Sequence, residues 1–157
     1  MTSELSGNQK RKMKSAARLF AVQALYQMEQ SGQTFDQVRF EFLDHRFGEV
    51  FEDYEMLEGD VALFSELLEQ AVNHQALVDQ MTDRALVAKW PLGRIDSTLR
   101  ALFRAAGAEL TQTDTPPKVV IVEFVQVAQA FFPEGKEGNF VNAVLDHMAR
   151  EAKPEAF

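Results

Sequence analysis

Apolar residues recur at three- and four-residue intervals along most of the chain, which is the spacing of amphipathic helices. In the first helix, from about residue 11 to 30, they are Met13, Ala17, Phe20, Ala24, Leu25 and Met28, and Ser31-Gly32 ends it. Thr34 and Gln37 form a capping-box pattern that opens a second helix, which stops near Gly48. These two segments predict helices that bury one face each.

The same spacing continues through the rest of the chain. Asp60 is predicted to cap a third helix whose period runs on through Leu77, Met81 and Ala85, either as one long helix or as two with a bend. Asp96 is predicted to cap another helix, and a last helix is predicted to start at Asn139 or Phe140. The pattern as a whole predicts an all-α fold.

The segment Lys118–Phe132, KVVIVEFVQVAQAFF, is apolar on almost all sides. Its polar residues Glu123, Gln126 and Gln129 fall along one side of a helix. The Val and Ile content also suits a buried strand. The run is long for a strand, however, and Pro116-Pro117 stand where a helix begins. We therefore predict that this segment is the buried central helix, with the others around it.

A chain of 157 residues suits one domain or two small subdomains that share a core. The segment Lys89–Gly93 breaks the helical pattern and is the best boundary between two halves. The predicted divisions are a disordered tail at 1–9, an N-terminal helical subdomain at 10–88, a C-terminal helical subdomain at 89–152 and a tail at 153–157.

Composition excludes several classes of protein. The chain has no cysteine, so it has no disulfide and no thiolate metal site, which fits a reducing cytoplasm. The N-terminus lacks the apolar region of a signal peptide, and no apolar run is long enough to cross a membrane. We expect a cytoplasmic protein without membrane association.

The charge is distributed unevenly. The net charge of −8 argues against nucleic-acid binding, but residues 1–18 hold five cations and one carboxylate, a local charge of +4. Arg11, Lys14 and Arg18 are spaced to lie on one face of the first helix. Cations at a helix N-terminus oppose its dipole, so helix stability does not explain them. Nucleic-acid phosphates, an acidic protein partner and a merely solvated helix start remain as alternatives.

No pattern indicates catalysis. The chain contains no HExxH, no Gly-rich phosphate loop, no GxSxG and no CxxC. The three histidines, His45, His74 and His147, stand at polar positions of separate helices. We expect no enzymatic activity, no catalytic residue, no cofactor and no metal.

A second candidate site for an anion is GKEGNFVNAVLD, residues 135–146. A Gly-rich turn that opens a helix presents backbone N–H groups. Lys136, Asn139 and Asn142 would add donors, and the ring of Phe140 either stacks on a base or belongs to the core. Tyr26, two turns after Arg18, either extends the basic face or flanks the core.

Three segments carry a resemblance to a known family. The basic helix start that leads into AVQALYQME (21–29), TPPKVVIVEFVQVAQAF (115–131) and GNFVNAVLD (138–146) resemble the NusB family. Its members are transcription antitermination factors that act on ribosomal RNA operons. The resemblance covers roughly residues 10–150 in the right order.

The resemblance implies a bundle of about seven helices in two three-helix subdomains, and a function that is not enzymatic. It also implies binding of boxA RNA together with the ribosomal protein NusE, in a complex with other Nus factors and RNA polymerase. Carried onto this sequence, the RNA contacts are Arg11, Lys12, Lys14 and Arg18 on the first helix and Lys136, Asn139, Phe140 and Asn142 at the last. Lys118 and Tyr26 are further candidates.

The chain departs from the family pattern at several positions. Two of its four first-helix cations are lysines, which lack the bidentate fork of arginine. Asn139 stands where a basic residue is common, Val122-Glu123-Phe124 where I-N-E-A is common, and Ala108 where an aromatic is usual. Rival interpretations are an RNA-binding fragment of an RNA cytosine methyltransferase and a helical adaptor that binds proteins. The residues leave open whether a homodimer covers the basic face.

Overall fold

The computed structural model describes residues 6–45, 50–51, 54–55, 58–86 and 94–157. Within these ranges the chain forms seven α-helices, a pair of two-residue antiparallel strands and a terminal 3-10 turn. The helices are α1 (Gly7–Ser31), α2 (Phe35–His45), α3 (Glu58–Asn73), α4 (Gln75–Ala85), α5 (Ser97–Gln112), α6 (Pro117–Phe131) and α7 (Glu137–Ala152). The strands are β1 (Val50–Phe51) and β2 (Tyr54–Glu55), and the turn is Pro154–Ala156. The predicted all-α fold is confirmed.

Local signals explain several helix ends. Gly32 adopts a left-handed conformation with a φ of 73° and ends α1 as predicted. Thr34 and Gln37 form the predicted reciprocal hydrogen bonds before α2. Asp96 accepts from the backbone N–H of Thr98 at 2.7 Å and caps α5.

The predicted tail at 1–9 extends too far, because α1 already begins at Gly7. The hydroxyl of Ser6 accepts from the backbone N–H of Gln9, and the Gln9 side chain accepts from the backbone N–H of Ser6. This capping box starts the helix within a polar stretch that carries no apolar periodicity.

Two other predicted helix starts were also wrong. The third helix begins at Glu58 rather than after a cap at Asp60, and the last begins at Glu137 rather than at Asn139 or Phe140. The long helical pattern is divided at His74 into α3 and α4. The break shifts the phase, so Leu77 is exposed and Val78 is buried instead. The predicted boundary at Lys89–Gly93 lies outside the described residues.

The centre of the bundle is α5 and not the more apolar α6. Ten residues of α5 are buried, from Leu99 to Leu110, and the helix packs against α1, α3, α4, α6 and α7. In contrast, Val119 and Val122 of α6 are 43% and 57% exposed. The reason is that Glu123 faces inward to a buried arginine, which turns an apolar side of α6 outward.

One hydrophobic cluster connects both halves of the bundle. The rings of Phe42 and Phe64 stack with centroids 5.5 Å apart, and the edge of Phe20 meets Phe42 at 6.2 Å. This aromatic group joins α1, α2 and α3, which α5 then connects to α4, α6 and α7. In the described parts of the chain, no helix has the length and apolar character needed to cross a membrane.

Candidate nucleic-acid interface

The first three turns of α1 extend beyond the hydrophobic core. Lys10, Arg11, Lys12 and Lys14 are all exposed there, and the first buried residue of the helix is Ala17. Neither Arg11 nor Lys14 forms an ion pair with any described residue. Arg11 and Lys14 can therefore bind phosphates without breaking an ion pair that stabilises the fold.

Arg18 was predicted as a surface cation, and this placement was wrong. Its side chain is only 4% exposed, and its guanidinium donates two hydrogen bonds to Glu109, from Nε at 2.8 Å and from Nη2 at 2.7 Å. Glu109 itself is completely buried in α5. The sequence spacing correctly puts Arg18 on the same face of α1 as Arg11. That face meets the core at Arg18, whereas Arg11 lies before the buried part of the helix.

Two further groups complete this buried cluster. Glu123 of α6 lies 3.5 Å from Nη1 of Arg18, and it accepts a hydrogen bond of 2.8 Å from the Ser15 hydroxyl. Burial alone lowers the pKa of Arg18, but the hydrogen bonds and charge of Glu109, with a contribution from Glu123, raise that pKa above its ordinary value. The arginine therefore stays charged and bound inside the protein.

Helices α1 and α6 run side by side in the same direction. Ser15 contacts Glu123 near their beginnings, and Tyr26 and Phe131 line the same cleft near their ends. Lys118, which is exposed, precedes Glu123 by five residues and so lies at the same end of the bundle as Arg11. The structure thus brings Lys118 towards the cationic start of α1.

The cleft at the other end of this pair of helices has a volume of about 450 Å³. It lies between α1, α2, α5 and α6, and the residues that line it are Gln23, Tyr26, Gln27, Gln30, Ser31, Phe42, Thr98 and Phe131. Tyr26 is 40% exposed, and Oε1 of Gln23 is buried without a hydrogen-bond partner. Sequence reasoning missed this cleft, although the glutamines at 23, 27 and 30 share one side of α1.

The start of α7 lies against the end of α6, where Gly138 comes close to the side chain of Gln129. Lys136, Asn139 and Asn142 are all exposed. The helix has no side-chain cap, and the carboxylate of Glu137 folds over Gly135 in its first turn. A negative side chain therefore stands where the sequence predicted an open anion site.

Phe140 has the core contact that was one of its two predicted roles, and base stacking stays a prediction. Its ring is half-buried, with its edge against Phe103 of α5 at a centroid distance of 6.1 Å. The ring is thus held by the core while part of it remains accessible to a stacking partner.

The predicted residues therefore fall into two groups. One contains Arg11, Lys12, Lys14 and Lys118, and the other contains Tyr26, Lys136, Asn139, Phe140 and Asn142. The groups are about 20 Å apart along α6, at 1.5 Å per helical residue. Arg18 lies between them but inside the protein.

Sequence reasoning also missed Glu109 as the partner of Arg18. A signal was present, because Glu109 is the single carboxylate in the apolar run ALFRAAGAEL, residues 101–110. A buried carboxylate needs a cation or several donors. The sequence indicates that need but does not identify the cation.

Comparisons with known proteins agree with this architecture. The model of the family described as "NusB family" matches residues 15–150. The Transcription antitermination protein NusB of Maricaulis maris is 45% identical over 157 residues, covering 99% of this chain and 98% of that protein.

Two solved structures share the fold. NusB of T. maritima has a TM-score of 0.72 and 28% identity over 92% of this chain and 96% of its own. A complex of the antitermination factors NusB and NusE with double-stranded RNA contains a chain with a TM-score of 0.73 and 22% identity, over 89% of this chain and 98% of that one.

The family match, the identity to a full-length relative and the bundle built around α5 agree with one another. Proteins of this kind are transcription antitermination factors, which are not enzymes. This chain belongs to the NusB family.

Proposed function

We propose that this chain binds boxA RNA of ribosomal RNA operons together with the ribosomal protein NusE. In this proposal the pair acts in the cytoplasm as part of a complex with other Nus factors and RNA polymerase. The observation that carries it is the group of exposed cations at the start of α1, with Lys118 at the same end of the bundle, on a body that is otherwise acidic. The complex of NusB and NusE with double-stranded RNA, in which one chain has the same fold, supports the choice of partners.

The cationic group supplies affinity by neutralising phosphates. Four side chains at this end, Arg11, Lys12, Lys14 and Lys118, would give a slope of about −3 in a plot of log affinity against log salt for single-stranded RNA. The remainder of the chain carries −12 outside residues 1–18, which repels RNA elsewhere and confines it to this surface.

The second group supplies contacts to bases. Tyr26 and Phe140 offer partly exposed rings, and a stacked base contributes roughly 1–3 kcal/mol. Asn139 and Asn142 offer amide groups that pair with base edges. A single strand that follows α6 from Lys118 to the start of α7 would contact both groups.

The test is titration of a boxA RNA oligonucleotide at several salt concentrations, with and without NusE, for the unmodified chain and for Arg11→Ala/Lys14→Ala. Losing two phosphate contacts should flatten the salt slope by about 1.4 and weaken binding. The melting temperature should change little, since both side chains are exposed.

A matched control is Arg84→Ala/Arg150→Ala, which removes the same charge from exposed arginines on α4 and α7. It should leave RNA affinity within a factor of about two, since both arginines are already paired with carboxylates, Arg84 with Glu151 and Arg150 with Asp146. Failure of the unmodified chain to bind boxA RNA saturably, alone or with NusE, would contradict the proposal and favour a protein-binding adaptor.

A further inference from the structure

The ion pair between Arg18 and Glu109 is the deepest polar contact of α1. It joins this helix to the central helix α5, and Glu123 extends the contact to α6. We propose that Arg18 is a positioning residue that holds the cationic start of α1 in its binding orientation without touching RNA. This inference rests on the proposed RNA-binding function.

The position of the cluster along α1 supports this role. Residues 7–16 are exposed or half-buried, so they make little apolar contact that would hold them. Arg18 and Ser15 are the polar residues of α1 that connect the base of this projecting segment to α5 and α6. Rotation of α1 about its axis would have to break both contacts.

The geometry also connects Arg18 to the cations that we expect to bind RNA. Arg11 stands seven residues before Arg18, which is about two helical turns, so the two side chains leave α1 in nearly the same direction. At Arg18 this direction meets Glu109 of α5, whereas Arg11 lies beyond the core and is exposed. The contact of Arg18 with α5 thus fixes the rotation of α1 close to Arg11, whereas Glu29 makes its contacts with α5 near the other end of the helix.

Stability alone is a poor reason for this cluster. Buried ion pairs often stabilise a protein no more than apolar residues of the same size, and in some proteins they select one geometry. Here two carboxylates share one guanidinium, so the cluster holds one surplus negative charge beside an RNA-binding surface. A negative charge at this place weakens RNA binding, so its presence calls for a reason other than contact with RNA.

The deciding variant is Glu109→Gln, because the two explanations predict opposite effects. If charge alone mattered, removing a carboxylate would leave RNA affinity unchanged or increase it. If Arg18 positions α1, Glu109→Gln weakens boxA RNA binding by about tenfold, within the usual range for coupling through a contact network. Affinity is measured well below the unfolding midpoint of each variant, so that all molecules are folded.

A second readout does not depend on RNA. Amide hydrogen exchange of residues 10–17 should accelerate in Glu109→Gln, while exchange in α3 and α7 stays slow. Arg18→Lys serves as the second variant, since it keeps the charge but loses the bidentate fork. It should also weaken binding, and it decides the question if Glu109→Gln does not fold.

The matched control is Asp79→Asn, which removes a carboxylate that accepts from Arg104 of α5 at 2.9 Å, away from the start of α1. It should leave both RNA affinity and exchange in residues 10–17 unchanged. RNA affinity in Glu109→Gln or Arg18→Lys equal to that of the unmodified chain would overturn the inference alone. Absence of RNA binding by the unmodified chain would instead overturn the proposed function.

Discussion

Ser15 on α1 donates a hydrogen bond of 2.8 Å to Glu123 on α6. Glu123 belongs to the thin polar stripe on the most apolar helix and also lies 3.5 Å from Arg18, whereas Gln126 and Gln129 of the same stripe are exposed. Val119 and Val122 face outward on the same side of α6 as Gln126 and Gln129. The contact joins α1 to α6, the two helices that carry the cations of the candidate RNA surface.

Replacement of Arg18 by alanine should destabilise the protein strongly. Glu109 would remain buried without its cation, and breaking a buried pair in this way typically costs about 3–5 kcal/mol. Urea denaturation of Arg18→Ala measures the loss. The control Arg11→Ala should change the free energy of unfolding by at most about 0.5 kcal/mol, because the side chain is exposed. Equal effects of the two changes would contradict the structural assignment.

Substitution of Phe140 separates its two roles. Phe140→Leu keeps an apolar group against Phe103 and should cost less than about 1.5 kcal/mol of stability. Loss of the aromatic ring should weaken RNA binding by roughly 1–3 kcal/mol, the contribution of a stacked base. Chemical denaturation and RNA titration of the same variant give both values. Unchanged RNA affinity would leave Phe140 with its core role alone.

Tyr26 offers a test of the cleft between α1 and α6. Its ring is 40% exposed, so Tyr26→Ala should lower the melting temperature only slightly while it weakens RNA binding through lost stacking. Phe40→Ala is a suitable control, since Phe40 is an aromatic residue that is 68% exposed on α2. A similar effect of both changes on RNA affinity would show that the cleft has no special role.

Close packing of α5 on α4 requires a glycine at position 107. A Cβ atom there would come closer to Cγ1 of Val78 than real Cβ atoms approach, and it would also crowd Met148. Gly107→Ala should therefore destabilise the protein by about 1–3 kcal/mol, despite the better helix propensity of alanine. Thermal unfolding measures this loss.

Gly7→Ala is the control for the thermal unfolding of Gly107→Ala. A Cβ atom at Gly7 would meet nothing within 4 Å, at the first position of α1. The change should be neutral or slightly stabilising. Destabilisation by Gly7→Ala as large as that by Gly107→Ala would show that crowding against Val78 is not the cause.

Much of the helical organisation could be predicted because helix formation depends on nearby residues. The caps at Thr34 and Asp96 and the end at Gly32 were found from three- and four-residue patterns. The start of α1 was missed, because the Ser6–Gln9 capping box lies in a stretch without apolar periodicity. The family resemblance, carried by short segments in the right order, was confirmed.

Periodicity and composition alone determined that this chain is a helical bundle with a cationic start on an acidic body. Tertiary structure decided which helix lies at the centre and which cations face solvent. Arg11 and Arg18 have the same local pattern, and what separates them is Glu109, 91 residues further along the chain. Because burial of a charge depends on a partner that folding brings from another helix, no local pattern could distinguish a solvent-facing arginine from a buried one.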